Sequence, residues 1–237
     1  MNLDLIDVRG VPVELRRAGH GAPVLYLHGG AGDTEWVPLC EQLAQHFTVY
    51  HPAHPGFGKS GGLEHIGGIE DLVFHYIDLI DALARAAGSP VPAALSLIGS
   101  SFGGWVGVEI AHRYPHLVQR LVLIDAAGLW LDAAPMAEMF GREPQEMAQL
   151  MFFNQQHPLA VAMASITDPG QLPEEVLLPM FKAMEALAKV AWNPYFHNPK
   201  LERRLDRISA RTLVVWGRQD RLIPLAHGER YRCEQDV

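Results

Sequence analysis

The chain has 237 residues, 49% of them hydrophobic, and a formal net charge of -8; that is enough apolar sequence to bury a large core in one main domain. The acidic balance argues against a nucleic-acid surface, which needs clustered Lys and Arg to displace counterions. Cys40 and Cys233 are the two cysteines, too few for a disulfide framework and without metal-ligand spacing, so they read as reduced thiols and no metal is implied. The start carries no basic segment or long apolar stretch, and the apolar run 91–98 is far shorter than the roughly 20 residues of a membrane helix. The expectation is a soluble, cytoplasmic protein with neither nucleic-acid nor membrane partner; the oligomeric state is left open.

In chain order, residues 3–18 read as two short strands around Gly10-Val11-Pro12, with Leu3, Leu5, Val11, Val13 and Leu15 at alternating positions. Residues 23–27 form a compact buried strand that ends in His28-Gly29-Gly30, and a helix is predicted over 34–46 with Asp33 or Thr34 as N-cap. A strand over 47–50 leads into the Pro- and Gly-rich loop 51–62. Residues 69–87 have the apolar spacing of a helix, closed by Gly88. A buried strand over 93–98, a helix over 102–114 stopped by Pro115, and strands over 121–124 and 212–216 complete the series. Alternating strands and helices imply a mostly parallel, doubly wound α/β sheet covered on both faces.

Residues 128–205 break that rhythm with helical, proline-punctuated sequence that holds Met136, Met139, Met147, Met151, Met163, Met180 and Met184. They read as a helical insertion, with 1–127 and 206–237 forming the core. Met147 with Met151, and Met180 with Met184, have the spacing of plain helix packing, whereas an adaptable apolar lid is the functional reading.

Gly99-Ser100-Ser101-Phe102-Gly103 lies between a strand and a helix. A serine hydroxyl is a poor nucleophile unless presented free of cover beside a base. A sharp strand-to-helix turn presents it, and side chains two residues away on either side would collide, so positions 99 and 103 need glycine. Acyl transfer also needs donors for the developing oxyanion. The backbone N–H of Phe102 and that of Gly30, in the glycine turn after the strand 23–27, are the candidates. His28, Gly29 and Trp105 are candidate substrate contacts, although His28 also reads as a turn-stabilising residue.

Taken in order, His28-Gly29-Gly30, then Pro55-Gly56-Phe57-Gly58-Lys59-Ser60, then Gly99 to Gly104, then Val214-Val215-Trp216-Gly217-Arg218-Gln219-Asp220, the sequence resembles the α/β-hydrolase superfamily from about residue 8 to 230. The resemblance implies a triad in the order Ser, acid, His, with the acid after the strand that follows the lid. Asp220 matches that position; Asp125, after the strand 121–124, is the alternative. It also implies a further helix, a last strand and a loop bearing the histidine. Residues 224–231 resemble the start of that helix, and the rest is missing, so the expectation is a truncated or frame-shifted C-terminus. His227 reads as a solvated helix histidine, and neither His28 nor His54 is assigned as base.

Two other patterns are set aside. Ala53 to Ser60 fits a relaxed phosphate loop, but Gly61-Gly62 follows it where a helix must begin. His112 and His116 have ligand-like spacing, but Pro115 interrupts the helix between them. The reaction implied is cofactor-free cleavage of a small carboxylic ester, or a related acyl substrate, through an acyl-enzyme on Ser101. Related serine members that cleave carbon-carbon bonds of ring-fission products are the alternative. A ligand binder that lacks the base is a further one. Substrate size turns on how Trp105, Trp130, Phe140, Phe152, Phe153 and Trp192 are arranged.

Overall fold

The computed structural model describes residues 1–32, 34–88 and 94–233. Among the described residues seven strands form one sheet: β1 (Asn2–Val8), β2 (Val11–Ala18), β3 (Pro23–Leu27), β4 (Thr48–Pro52), β5 (Leu95–Ser100), β6 (Val118–Ile124) and β7 (Arg211–Val215). Their spatial order is β1-β2-β4-β3-β5-β6-β7. The β1-β2 and β2-β4 pairs are antiparallel, and every pair from β4 to β7 is parallel. This is the α/β-hydrolase architecture, with an antiparallel hairpin on one edge of a parallel sheet.

The two-residue alternation of a strand sorts the core. Leu25, Leu27, Leu97, Leu121 and Leu123 face one side, where they join the main core with helices α2 (Ile69–Ala86) and α3 (Phe102–Arg113). Val24, Tyr26, Val49 and Ile98 face the other side, against Cys40 of helix α1 (Pro38–Leu43). From β3 the chain crosses to β4 on one side, whereas from β5 it crosses to β6 on the other. The ends of β3 and β5 are therefore neighbours whose connections diverge, and ligands of open α/β sheets bind in such a crevice.

Helix α1 is shorter than the sequence predicts. Pro38 occupies its first turn, and Val37 before it is extended at φ −80° and ψ 154°. Proline is suited to the first helical position because it lacks an N–H, while its ring pushes the preceding residue out of helical geometry. Thr34 and Trp36 consequently precede the helix, and the cap candidate Asp33 lies outside the described residues, as does Ala93 at the predicted start of β5. The alternation in β1 does not produce burial either: Leu3 and Leu5 are exposed on the edge strand.

Between β6 and β7 the chain forms helices α4 (Pro144–Met151), α5 (Pro158–Ala164) and α6 (Glu174–Ala191). The ends of this segment meet. The Gly128 N–H donates to the Phe196 carbonyl at 2.9 Å, and the Asn198 N–H donates to the Gly128 carbonyl at 3.0 Å. The last described helix, α7 (Leu225–Cys233), packs against β7's continuation: a Cβ on Gly228 would meet the Trp216 ring at 2.7 Å, and Tyr231 Oη donates to the Ala127 carbonyl at 2.6 Å. Among the described residues, no helix is long and apolar enough to cross a membrane.

Candidate active site

Ser101 stands between β5 and α3 at φ 51° and ψ −115°, a left-handed conformation rare for a residue with a side chain. The surroundings hold it there. Its N–H donates to the Ile124 carbonyl at 2.8 Å, and its own carbonyl accepts from the N–H groups of Gly104 and Ala127 at 3.0 and 3.1 Å. The flanking glycines meet a steric demand. A Cβ on Gly99 would lie 2.4 Å from the Gly103 carbonyl oxygen, and one on Gly103 would lie 2.2 Å from that of Leu27.

Ser101 opens on a cavity of about 330 Å³ shared with Gly29, Gly30, Asp125, Gln219 and Asp220. Met139, Leu150, Met151 and Phe153, from the segment between β6 and β7, supply apolar walls. Among the described residues, Asp125 and Asp220 are the charged side chains lining it, and no Lys, Arg or His does so. Asp220 Oδ1 accepts from the N–H groups of Leu222 and Ile223 at 2.8 and 2.9 Å. Burial still holds its carboxyl above the usual range, and the Asp125 charge adds to the rise. Asp125 Oδ1 accepts from the Gly217 N–H at 2.7 Å, yet burial also raises this carboxyl. Both candidate acids thus border the Ser101 cavity.

Two predicted substrate contacts lie elsewhere. Trp105 is in the core at 1% exposure, and its indole N–H donates to Glu109 Oε1 at 3.1 Å. It belongs to the inward face of α3, because the elbow turns that helix back over the sheet. His28 is fully buried beneath the glycine turn and does not line the cavity, whereas Gly29 and Gly30 do. His227 is a further correction. It is buried rather than solvated, and its Nε2–H donates to the Ala134 carbonyl at 2.8 Å. Burial lowers its pKa, while that hydrogen bond raises it. Nδ1 has no partner among the described residues.

Of the aromatics in the inserted segment, Phe153 and Phe196 reach the cavity. Phe140 instead stacks on Phe196, Phe152 stacks on His157, and Trp130 and Trp192 are exposed. The methionines divide likewise: Met139 and Met151 line the cavity, Met136 is buried, and Met180 and Met184 face outward.

These features are those of a nucleophile elbow at a topological switch point, and the sequence matches the profile described as the alpha/beta hydrolase family over residues 24–236. The chain belongs to the alpha/beta hydrolase family. This hydrolase is 30% identical over 238 residues to the 2-hydroxy-6-oxo-2,4-heptadienoate hydrolase of Pseudomonas putida, covering 91% of this chain and 78% of the relative. Among solved structures, a meta-cleavage product hydrolase from Pseudomonas fluorescens superposes with a TM-score of 0.72 at 22% identity, over 97% of this chain and 84% of that one. A bacterial membrane phospholipase A superposes at 0.74 and 22% identity, over 99% and 76%. At that level of identity the two structures speak for the hydrolase fold alone.

Sequence reading missed several buried polar clusters, two of them at the loop 51–62. Glu14 accepts the Lys59 N–H at 2.9 Å and pairs with buried Arg16, fastening the loop 51–62 to β2. Ser60 Oγ donates to the Ala53 carbonyl at 2.8 Å and accepts from the Glu14 N–H at 3.0 Å. A serine committed on both sides does not serve a phosphate. The second cluster joins His28, His54 and Tyr76.

Proposed function

We propose that this hydrolase cleaves a small, uncharged carboxylic ester through an acyl-enzyme on Ser101. The observation that carries the reading is the left-handed Ser101, opening on the same cavity as Gly30 and Asp220. In this reading Ser101 Oγ attacks the carbonyl carbon, and the N–H groups of Gly30 and Phe102 stabilise the oxyanion as the alcohol leaves. Water then hydrolyses the acyl-enzyme. Asp220 is the acid that would orient a histidine base and stabilise its imidazolium. Asp125 is the alternative acid.

The charge of the cavity supports an uncharged substrate. Its charged walls are Asp125 and Asp220, and a carboxylate substrate brought beside them would meet like charge with no compensating cation among the described residues. The second reading is carbon-carbon bond cleavage of a ring-fission dienoate, favoured by the Pseudomonas putida relative, whose name gives 2-hydroxy-6-oxo-2,4-heptadienoate as the compound hydrolysed. The absence of histidine from the described cavity walls favours a third, a ligand binder on the same fold.

A panel of nitrophenyl esters assayed beside 2-hydroxy-6-oxo-2,4-heptadienoate separates the first two. Turnover of the esters, lost in Ser101→Ala, is the expected result. Turnover of the dienoate alone overturns the ester reading. Ligand binding without turnover of either, and without fluorophosphonate labelling of Ser101, favours the binder.

A further inference from the structure

We propose that Tyr76 and His54 are positioning residues that, acting through His28, aim the Gly30 N–H into the Ser101 cavity. The inference rests on the reading of Gly30 as an oxyanion donor. It starts from four hydrogen bonds whose directions are fixed by what each group can do. His54 Nε2 lies 2.9 Å from the His28 carbonyl oxygen, which accepts only, so the His54 proton is on Nε2. His54 Nδ1 is then bare and accepts from the Tyr76 hydroxyl. His28 Nδ1 lies 2.7 Å from the Gly29 carbonyl oxygen and must donate to it. Its Nε2 accepts the His54 backbone N–H at 3.0 Å.

Both imidazoles are held neutral. Burial lowers His28 to about 3, with the His51 ring and the Arg16 charge lowering it further, and burial lowers His54 well below its ordinary value, with the His28 and His75 rings adding to the fall. The relay therefore carries no charge and has one arrangement of protons. Tyr76 is its anchor: the hydroxyl is fully buried and donates a hydrogen bond to His54 Nδ1, the nitrogen that would carry the proton in the neutral tautomer unable to donate to His28.

The end of the relay grips a peptide that matters. The Gly29 carbonyl and the Gly30 N–H belong to the same planar trans peptide and point in opposite directions. Pinning the carbonyl on His28, beneath the turn, therefore directs the N–H away from His28; Gly29 and Gly30 both border the Ser101 cavity. His54 also touches the second candidate donor's residue, since its ring meets that of Phe102 edge-on with centroids 5.2 Å apart. It packs on His28 at 3.9 Å. One imidazole thus spans both halves of the proposed oxyanion hole. A purely space-filling role would not require either tautomer.

The test compares Tyr76→Phe, His54→Phe and His54→Gln with the parent chain and with Ser101→Ala. The readouts are the second-order rate of Ser101 labelling by a fluorophosphonate and nitrogen-15 imidazole and amide spectra. Glutamine can return the donor that His54 Nε2 supplies, whereas phenylalanine cannot. The expected result is labelling slowed at least ~10-fold in Tyr76→Phe and His54→Phe, from losing an aligned oxyanion donor, with most of the rate kept in His54→Gln. The spectra should show His28 protonated on Nδ1 and His54 on Nε2, and the Gly30 amide resonance should move in Tyr76→Phe. Labelling at the parent rate in both phenylalanine variants, or other tautomers, overturns the relay while leaving Ser101 as nucleophile. Failure of the parent to label, or labelling that survives Ser101→Ala, overturns the nucleophile reading. The Gly30 resonance then still decides the relay: if it is unmoved in Tyr76→Phe, the relay falls as well.

Discussion

Gly103, at the start of α3, faces the carbonyl of Leu27, at the end of β3, so closely that a Cβ on Gly103 would sit 2.2 Å from the Leu27 oxygen. Neither partner is a flexible side-chain end, so a methyl group there forces helix and strand apart. Gly103→Ala should lower unfolding free energy by ~3 kcal/mol or more, measured as a shifted urea midpoint. A variant of parental stability would mean that the elbow yields more easily than its backbone contacts imply.

Glu109 is fully buried and receives Trp105 Nε1, Asn198 Nδ2, His112 Nε2 and the Arg113 guanidinium within 3.1 Å. Burial alone would raise its pKa, but the hydrogen bonds from His112 and Asn198 and the Arg113 charge outweigh it and pull the carboxyl below its usual range. A carboxylate depressed in the folded state stabilises above its unfolded pKa of ~4.3, and that contribution fades as pH falls through the folded value. Acid titration of stability should show a loss beginning near pH 4.3. Glu109→Gln should remove it, at a penalty of ~3 kcal/mol at neutral pH. An acid limb unchanged in the variant would show that other carboxylates carry it.

The raised carboxyl of Asp125 runs the other way. When the folded pKa lies above the unfolded ~3.9, ionisation weakens the fold, and the penalty vanishes below the unfolded value. Asp125→Asn keeps an acceptor for the Gly217 N–H. Its melting temperature should rise by ~2 °C at pH 7, and the gain should close as pH approaches 4. A gain that persists in acid would point to packing instead of charge.

Phe153 lines the Ser101 cavity yet is 68% exposed, so it meets the cavity at its outer rim. Phe153→Ala should leave stability within ~0.5 kcal/mol. For longer nitrophenyl esters it should raise KM with little change in kcat, as expected when ground-state and transition-state binding are lost alike. An equal fall in kcat would place Phe153 nearer the reacting carbonyl.

The parts of the site legible in sequence are those fixed by short-range sterics. Gly99 and Gly103 bracket Ser101 because the turn leaves no room for a Cβ, and that demand is visible as spacing. Asp220 was legible through the resemblance to the α/β-hydrolase superfamily, which implies an acid after the strand that follows the inserted segment, and it borders the Ser101 cavity. The Tyr76–His54–His28 chain was not, because its members come from α2, from the loop after β4 and from the end of β3. Only folding makes them neighbours. His227 misled because a short helix with polar residues on several sides has little periodicity to read; Gly228 and Tyr231 turn it inward against Trp216 and Ala127. Trp105 misled because proximity in sequence to Ser101 is not proximity to its cavity: one turn into α3 the side chain points into the core.

The pairing of Gly128 with Phe196 and Asn198 makes the helical segment leave and rejoin the sheet through a single doorway. Insertions whose ends lie together are borne well by the fold that hosts them. The apolar cavity walls Met139, Leu150, Met151 and Phe153 all lie beyond that doorway, whereas Ser101 and Gly30 lie before it and Asp220 follows the return. These walls and the Ser101 turn are therefore encoded in separable stretches of chain, and one can drift by mutation or exchange without disturbing the register of the other.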